Sequence, residues 1–223
     1  MDEVRVIEIK RSVFSNNDKQ ANKVREQLKQ QRTFLLNVMS SPGSGKTSLI
    51  LQTIKSLRHD FKVGVMEADI DSAVDAERIA AVGIPAIQLH TGGMCHLDAE
   101  MTRQGLKEMN LTELDIIILE NVGNLVCPAE FDTGAVKNVM ILSVPEGDDK
   151  PLKYPLMFST CDVLLVNKID YLKIANFDMT AVKERALHIN PDMVIFEVSA
   201  KTGEGIDLWS EWLRNAVCDW IAE

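Results

Sequence analysis

The amino-acid sequence predicts an α/β fold in which helices cover both faces of a doubly wound, mostly parallel β-sheet. Seven short apolar runs alternate with helical patterns along the chain, and continuous apolar runs are typical of parallel strands buried on both faces. A glycine-rich stretch directly after the first run is the second observation that favours this fold. The predicted strands lie at 33–39, 61–68, 86–89, 115–120, 139–144, 163–168 and 193–198.

The size and charge of the chain limit its class of function. Its 223 residues are 46% hydrophobic and 26% charged, which suits one large globular domain. The net charge of −9 argues against nucleic acid as the main partner, because phosphate backbones are bound by clustered lysine and arginine. No segment reaches the length of a membrane span, and the N-terminus lacks the apolar core of a signal peptide. We therefore expect a cytoplasmic protein without membrane or nucleic-acid partners, whose cysteines are not paired in disulfides.

The first predicted strand leads into SSPGSGKTS at residues 40–48, a phosphate-binding motif. In such a loop the glycines let backbone amides point at phosphate oxygens, the lysine adds a positive charge and the threonine hydroxyl binds Mg²⁺. Ser40 stands where the usual pattern has its first glycine. The expected nucleotide-binding residues of the loop are Gly43, Ser44, Gly45, Lys46, Thr47 and Ser48, and Lys46 is also expected to act in catalysis.

Two later strand ends predict which base is bound. NKID at residues 167–170 has the spacing of a guanine reader, and SAK at residues 199–201 follows the last predicted strand. A carboxylate there accepts hydrogen bonds from two donors that guanine has and adenine lacks. Alone, NKID could be a surface turn, but beside the phosphate loop it indicates GTP. The candidate base-site residues are Asn167, Lys168, Asp170, Ser199, Ala200 and Lys201.

Carboxylates between these motifs are candidates for the catalytic work. Asp75 and Glu120 are predicted to hold Mg²⁺ together with Thr47, and Asp69 is predicted to orient the attacking water. Gly123 follows the same strand as Glu120 and is expected to approach the terminal phosphate closely. These positions predict hydrolysis rather than binding alone.

Three side chains form a candidate transition-metal site. Cys95 and His96 follow one predicted strand and Cys127 follows another, so loops at the carboxyl ends of parallel strands could bring them together. Two thiolates and an imidazole suit zinc or nickel, and three ligands leave a position open to water, a second subunit or a metal-accepting protein. From spacing alone, a buried thiol beside an unrelated histidine is an equal alternative. Cys161 and Cys218 are expected to be packing residues.

The segment before the first strand is mostly polar. Residues 18–32 have sparse apolar positions and follow Ser-Asn-Asn, which suits a helix N-cap. We therefore expect residues 1–32 to be a lead-in with a polar, solvated helix outside the core. Residues 33–223 are expected to form a single P-loop GTPase domain.

Taken together, six stretches resemble the HypB-type GTPases that help to incorporate nickel into hydrogenase. They are SSPGSGKTS, EADIDSAVDAERI, GIPAIQLHTGGMCHLDA, ENVGNLVCPAEFD, EGDDKPLKYPLMF and NKID. The likeness runs in order from Thr33 to the end of the chain. It implies a SIMIBI-type P-loop GTPase that hydrolyses GTP to GDP and phosphate, dimerises with nucleotide and acts in hydrogenase maturation.

The same resemblance implies a zinc or nickel site at Cys95, His96 and Cys127 across the dimer. It also implies work with an accessory nickel metallochaperone and the hydrogenase large subunit. Some relatives carry an N-terminal Cys-x-x-Cys-Gly-Cys motif or a histidine-rich tract, which this sequence lacks. Two alternatives remain open: a maturation GTPase for another nickel enzyme such as urease, and a metal-binding scaffold in which GTP only controls dimerisation.

Overall fold

A computed structural model describes residues 9–69, 79, 81–109 and 111–222. The strands are β1 (Phe34–Ser40), β2 (Val63–Asp69), β3 (Ala86–His90), β4 (Ile116–Glu120), β5 (Lys137–Ser143), β6 (Val163–Asn167) and β7 (Val194–Glu197). The described helices are α1 (Ile9–Gln31), α2 (Lys46–Leu57), α3 (Ala99–Glu108), α4 (Cys127–Glu130), α5 (Lys150–Lys153), α6 (Pro155–Thr160), α7 (Met179–Ile189) and α8 (Ile206–Ala222). Each of them is too short or too polar to cross a membrane.

The seven strands form one sheet in the order β3-β2-β4-β1-β5-β6-β7. Each predicted strand is confirmed to within two residues at either end. The prediction of a mostly parallel sheet is also confirmed, and each strand pairing within the described residues is parallel. The chain passes from β1 to β2 and β3 on one side, returns to β4 between β2 and β1, and then crosses to β5, β6 and β7 on the other side. The carboxyl end of β1 therefore lies at the switch point where open α/β sheets bind ligands.

Strand β1 is buried on both faces because its apolar side chains alternate between two helical layers. Leu36 packs in the cluster that contains Ile54 of α2 and Leu213 of α8. Leu35 points the other way and joins the cluster that contains Leu28 of α1 and Leu106 of α3. Burying a leucine side chain of this kind contributes roughly 1.5–3 kcal/mol. This packing fixes the strand end that carries the phosphate loop.

Helix α1 contributes to the core, and the expectation that it lies outside is wrong. Ala21, Val24 and Leu28 are fully buried, although most of the described helix is polar and partly or fully exposed. Their spacing of i, i+3 and i+7 places them in a narrow apolar stripe on one helix face. The average polarity of the segment conceals that stripe in the sequence. The division into residues 1–32 and 33–223 stays a prediction.

Candidate functional site

The loop between β1 and α2 has the backbone conformation that its glycines permit. Gly43 and Gly45 have φ angles of 77° and 95°, in the left-handed region that favours glycine. A Cβ atom on Gly45 would lie 2.8 Å from Nδ2 of Asn167, so the loop approaches the end of β6 closely. Helix α2 begins at Lys46, and its first amides therefore emerge next to the loop. Amides at a helix N-terminus are suited to binding phosphate.

Ser40 anchors this loop from inside. It is fully buried at the end of β1, and its Oγ accepts hydrogen bonds from Nζ of Lys46 at 3.1 Å and from Oγ of Ser44 at 2.6 Å. Ser40 is part of a strand and does not have a positive φ, so its backbone does not require glycine. The serine at this position therefore adds a hydroxyl that holds the lysine and does not strain the turn.

Oxygen ligands for a hard cation lie behind the loop. Thr47 Oγ1 donates to Glu120 Oε1 at 3.0 Å, and both residues are buried. Glu67 of β2 lies beside Glu120 in the strand register and is only 3% exposed. Carboxylate and hydroxyl oxygens are the donors that Mg²⁺ prefers, so the set fits this ion.

Glu67 was not among the candidate site residues predicted from the sequence. The available signal was a charged residue inside the otherwise apolar run VGVMEAD, because a carboxylate in a buried strand needs a specific reason. Asp69 ends β2, but its side chain lies outside the described residues, as does all of Asp75. Their predicted roles therefore stay predictions.

The predicted base-reading residues converge beside the phosphate loop. Asn167 accepts a hydrogen bond from the backbone amide of Ala200 at 3.1 Å, which joins the ends of β6 and β7. Ser199 Oγ donates to Asp170 Oδ1 at 2.7 Å, and Lys201 Nζ lies 4.0 Å from the other carboxylate oxygen. The Asp170 carboxylate is thereby held in one orientation.

A cavity of about 320 Å³ connects these residues to the loop. Gly45, Ser48, Asp170, Tyr171 and Lys201 are among its lining residues. Lys168 has a φ of 62° and its Nζ donates to the carbonyl oxygen of Gly43 at 2.6 Å, so it bridges the base side and the phosphate side. The lining of the cavity includes Gly45 and Ser48 at the start of α2, as expected of a base-binding site next to a phosphate loop.

Cys95, His96 and Cys127 converge in the structure. Cys95 Sγ lies 2.8 Å from Cys127 Sγ and 4.0 Å from Nδ1 of His96, and one donor atom from each residue lies within 4.8 Å of the other two. His96 stacks on the ring of Phe131 with 3.9 Å between ring centroids. Asn124 Nδ2 donates to the carbonyl oxygen of Cys95 at 3.4 Å, which links the two ligand-bearing loops. Two sulfurs and an imidazole are a donor set that fits zinc or nickel.

The pKa values of two of these side chains are perturbed in opposite directions. The hydrogen bond with Cys95, together with burial, raises the pKa of the Cys127 thiol. Burial lowers the pKa of His96, although Asp98 and Glu130 act in the opposite direction. At neutral pH the imidazole is therefore neutral and able to bind a metal, whereas the thiol must lose its proton on metal binding.

The other two cysteines behave differently from each other. Cys161 is buried, and burial raises the pKa of its thiol, so its expected packing role is supported. Cys218 is exposed on α8, and the expectation that it packs is wrong. The sequence placed it in an amphipathic helix, but Val217 and not Cys218 faces the core.

The loop after β4 connects the phosphate side to the thiols. Gly123 lies against the phosphate loop, and a Cβ there would come within 3.0 Å of Cγ of Pro42. This loop begins at Glu120 and reaches Cys127 seven residues later. A single short segment therefore carries a candidate magnesium ligand, a glycine against the phosphate loop and a candidate thiol ligand.

Residues 34–197 match the family model described as CobW/HypB/UreG, nucleotide-binding domain. A hydrogenase maturation factor HypB from Escherichia coli K12 is 43% identical over 218 residues, covering 98% of this chain and 75% of the relative. The chain belongs to the HypB family of hydrogenase maturation factors. The fold is the SIMIBI-like P-loop fold of that family.

Two further HypB relatives extend the comparison. A Helicobacter hepaticus protein, named as a hydrogenase/urease maturation factor, is 42% identical over 204 residues and covers 90% of this chain and 84% of its own length. The crystal structure of Helicobacter pylori HypB in complex with nickel superimposes with a TM-score of 0.87 at 38% identity, covering 92% of this chain and 96% of the other. The resemblance stated from sequence motifs is thus confirmed at the level of family and fold.

Proposed function

We propose that this HypB protein hydrolyses GTP to GDP and phosphate and uses its nucleotide state to control a nickel site during hydrogenase maturation. The observation that carries the proposal is the β4–α4 loop. In seven residues it joins Glu120, which contacts Thr47, to Cys127, which contacts Cys95. Ordering of this loop around the terminal phosphate would move a metal ligand, as nucleotide-sensing loops do in GTPases.

Hydrolysis in this proposal depends on positioning and charge. Lys46 leaves Ser40 to bind the β- and γ-phosphates, where its positive charge opposes the charge that develops on phosphoryl transfer. Mg²⁺, held by Thr47, Glu120 and Asp75, would neutralise charge between the same phosphates. Glu67, beside Glu120, would orient that shell, and Asp69 would orient the attacking water.

Guanine selection depends on residues on the opposite side of the phosphate loop from Glu120. Asp170 accepts from the guanine ring N–H and its exocyclic amine, while Ser199 and Lys201 fix the carboxylate. The proposed nucleotide contacts run from Gly123 on one side, through the phosphate loop, to this reader on the other side. GDP would keep the base contacts and lose those of the terminal phosphate.

Nickel is the proposed cargo of the thiolate site, and zinc is the competing ion. Three ligands from one chain leave a coordination position that a second copy, an accessory nickel metallochaperone or the hydrogenase large subunit could fill. Met94 and Val126, each next to a thiol ligand, are 41% and 52% exposed. Exposed apolar side chains around the site favour a protein partner there, and a nucleotide-dependent homodimer is the arrangement that we propose.

A second client is supported by one comparison. The Helicobacter hepaticus relative is named for both hydrogenase and urease maturation. Urease is therefore the alternative client for this GTPase, and capture of the client by the nickel-loaded protein would distinguish the two. The alternative from a different functional class is a metal-binding scaffold that does not turn over GTP. It predicts metal affinities that are the same in every nucleotide state.

The decisive experiment measures nickel affinity, zinc affinity and oligomeric mass of the full chain without nucleotide, with GDP and with a non-hydrolysable GTP analogue. We expect metal affinity to differ between the GDP and analogue forms, because coupling between two sites is reciprocal. Cys127→Ala should abolish tight binding and keep GTP affinity, whereas Cys218→Ala, an exposed thiol on α8, should behave as wild type. Equal metal affinity in all nucleotide states would contradict the proposed coupling.

A further inference from the structure

Asn17 of α1 touches both segments that carry the metal ligands. Its Oδ1 accepts a hydrogen bond from the backbone amide of Ala99 at 2.9 Å, and its Nδ2 donates to the carbonyl oxygen of Asp132 at 2.9 Å. Ala99 is the first residue of α3, three positions after His96, and Asp132 lies five positions after Cys127. One side chain therefore spans the two halves of the metal site.

The geometry makes this bridge short and stiff. Asn17 is only 8% exposed, so few waters compete with its two hydrogen bonds. The side-chain amide is planar, which fixes the separation between its acceptor and its donor. Asp98 caps the same end of α3 by accepting from the amide of Met101 at 2.8 Å, so the first turn of α3 is held from two directions. The loop that ends in His96 has little freedom to move relative to α1.

Two other side chains of α1 hold the Cys127 segment. Arg25 forms two hydrogen bonds with the carboxylate of Asp132, at 2.9 and 2.6 Å. Phe14 packs against Phe131 with ring centroids 5.1 Å apart, and the ring of Phe131 stacks on His96. Contacts from three successive parts of the helix thus converge on residues 131–132.

We infer that Asn17 is a positioning residue for the Cys95–His96–Cys127 site, and that α1 sets the distance between its two ligand-bearing loops. The inference rests on the proposed metal-binding function and adds the element that holds the ligands together. Side chains behind a metal's direct ligands commonly change its affinity by 10–100-fold.

The test uses Asn17→Asp in the full chain. The aspartate keeps an acceptor for the amide of Ala99 but loses the donor to Asp132, and it places a carboxylate next to a carbonyl oxygen. We expect nickel and zinc affinity to fall by about tenfold or more. The thiolate-to-metal charge-transfer absorption of the Co²⁺ or Ni²⁺ form should shift, while GTP affinity stays within about twofold of wild type.

The matched control is Leu28→Ala on the same helix. Leu28 is fully buried and lies eleven residues from Asn17, about 16 Å along the helix axis. It should lower the melting temperature more than Asn17→Asp does, and leave metal affinity near wild type. Equal losses of metal affinity in the two variants would overturn the inference, because general loosening of α1 would explain both.

The outcomes separate this inference from the proposed function. Wild-type metal affinity in Asn17→Asp, with binding abolished in Cys127→Ala, overturns the positioning role alone. A wild-type protein that binds neither nickel nor zinc at its thiols overturns both. If Asn17→Asp does not fold, Arg25→Gln replaces it, because the loss of two hydrogen bonds to Asp132 frees the same segment. A metal affinity unchanged in Arg25→Gln then overturns the inference.

Discussion

The side-chain amide of Asn167 donates a hydrogen bond to the main-chain oxygen of Ser44 at 2.9 Å. The end of the base-reading strand is thus fastened to the middle of the phosphate loop. Asn167 lies 1% exposed, so the hydrogen bond is shielded from water. The shape of the loop depends on Asn167 whichever base is bound.

Asn167→Ala should therefore weaken the binding of guanine and xanthine nucleotides equally. Leaving a buried carbonyl unsatisfied costs about 1–3 kcal/mol, which corresponds to about 5- to 150-fold in affinity. Titration with GDP and XDP measures the effect, and Asn176→Ala at an exposed position outside the helices and strands is a control of the same residue type. A loss confined to guanine nucleotides would show that Asn167 reads the base instead.

Asp170→Asn should shift preference from GTP toward XTP. An amide donates to the xanthine carbonyl at the place where the carboxylate accepted from the guanine amine. Ser199 donates to the Asp170 carboxylate and is also able to donate to the amide oxygen of the variant, so the side chain should keep its orientation. Competition between the two nucleotides measures the shift. Unchanged selectivity would mean that the NKID segment is not the base reader.

Lys46→Ala should reduce GTP turnover by about 10²–10³-fold, because a fixed positive charge at the transferred phosphoryl group is lost. Single-turnover hydrolysis at saturating nucleotide separates this effect from weaker binding. Lys55→Ala on the exposed face of the same helix is the matched control and should keep wild-type turnover. Near wild-type turnover in Lys46→Ala would refute the role of the phosphate loop in catalysis.

Asp132→Asn should lower stability at neutral pH and have little effect in acid. Partial burial alone would raise the pKa of Asp132, but hydrogen bonds from Arg25 and the Gly134 amide outweigh it and hold that pKa below its ordinary value. Asp132 therefore contributes stability above the unfolded-state pKa of about 3.9, and this is lost as pH falls through the folded-state pKa.

The expected loss at neutral pH is about 1 kcal/mol, because both side chains of the Arg25–Asp132 pair are about one-third exposed and solvent screens them. Asp18 lies near enough to Arg25 to influence it, so Asp18→Asn serves as a control on the same helix. Urea unfolding at neutral pH and below about pH 4 measures the difference. A destabilisation that is the same at both pH values would exclude the ion pair as its source.

Local signals in the sequence predicted the sheet and most of the site. The phosphate loop and the base reader each consist of contiguous residues at strand ends. In such short motifs the same few residues determine both the backbone conformation and the binding chemistry. Glu67 was missed because its role depends on Glu120, its register partner on the adjacent strand, which lies 53 residues away in the sequence. For the same reason, the spacing of Cys95 and Cys127 could not decide whether the thiols meet.

The role of α1 was beyond the reach of sequence patterns. Asn17 reads as part of a helix cap in SNN, but it lies inside a helix that begins at Ile9. Its two hydrogen-bond partners are 82 and 115 residues away in the sequence. Both partners are backbone atoms, which every residue type has, so the sequence does not show which residues Asn17 contacts. Only the packed structure reveals that this polar helix holds both loops that carry the candidate metal ligands.

The strand order also divides the amino-acid sequence into two contiguous blocks. Strands β2, β3 and β4 lie on one side of β1 and strands β5, β6 and β7 on the other. Residues 63–131 therefore contain the thiols and their loops, whereas residues 137–201 contain the base reader. A single recombination point between residues 132 and 136 would exchange one specificity and retain the other. The candidate metal ligands and the phosphate loop would then be exchanged together as one block, and the base reader would remain in the other.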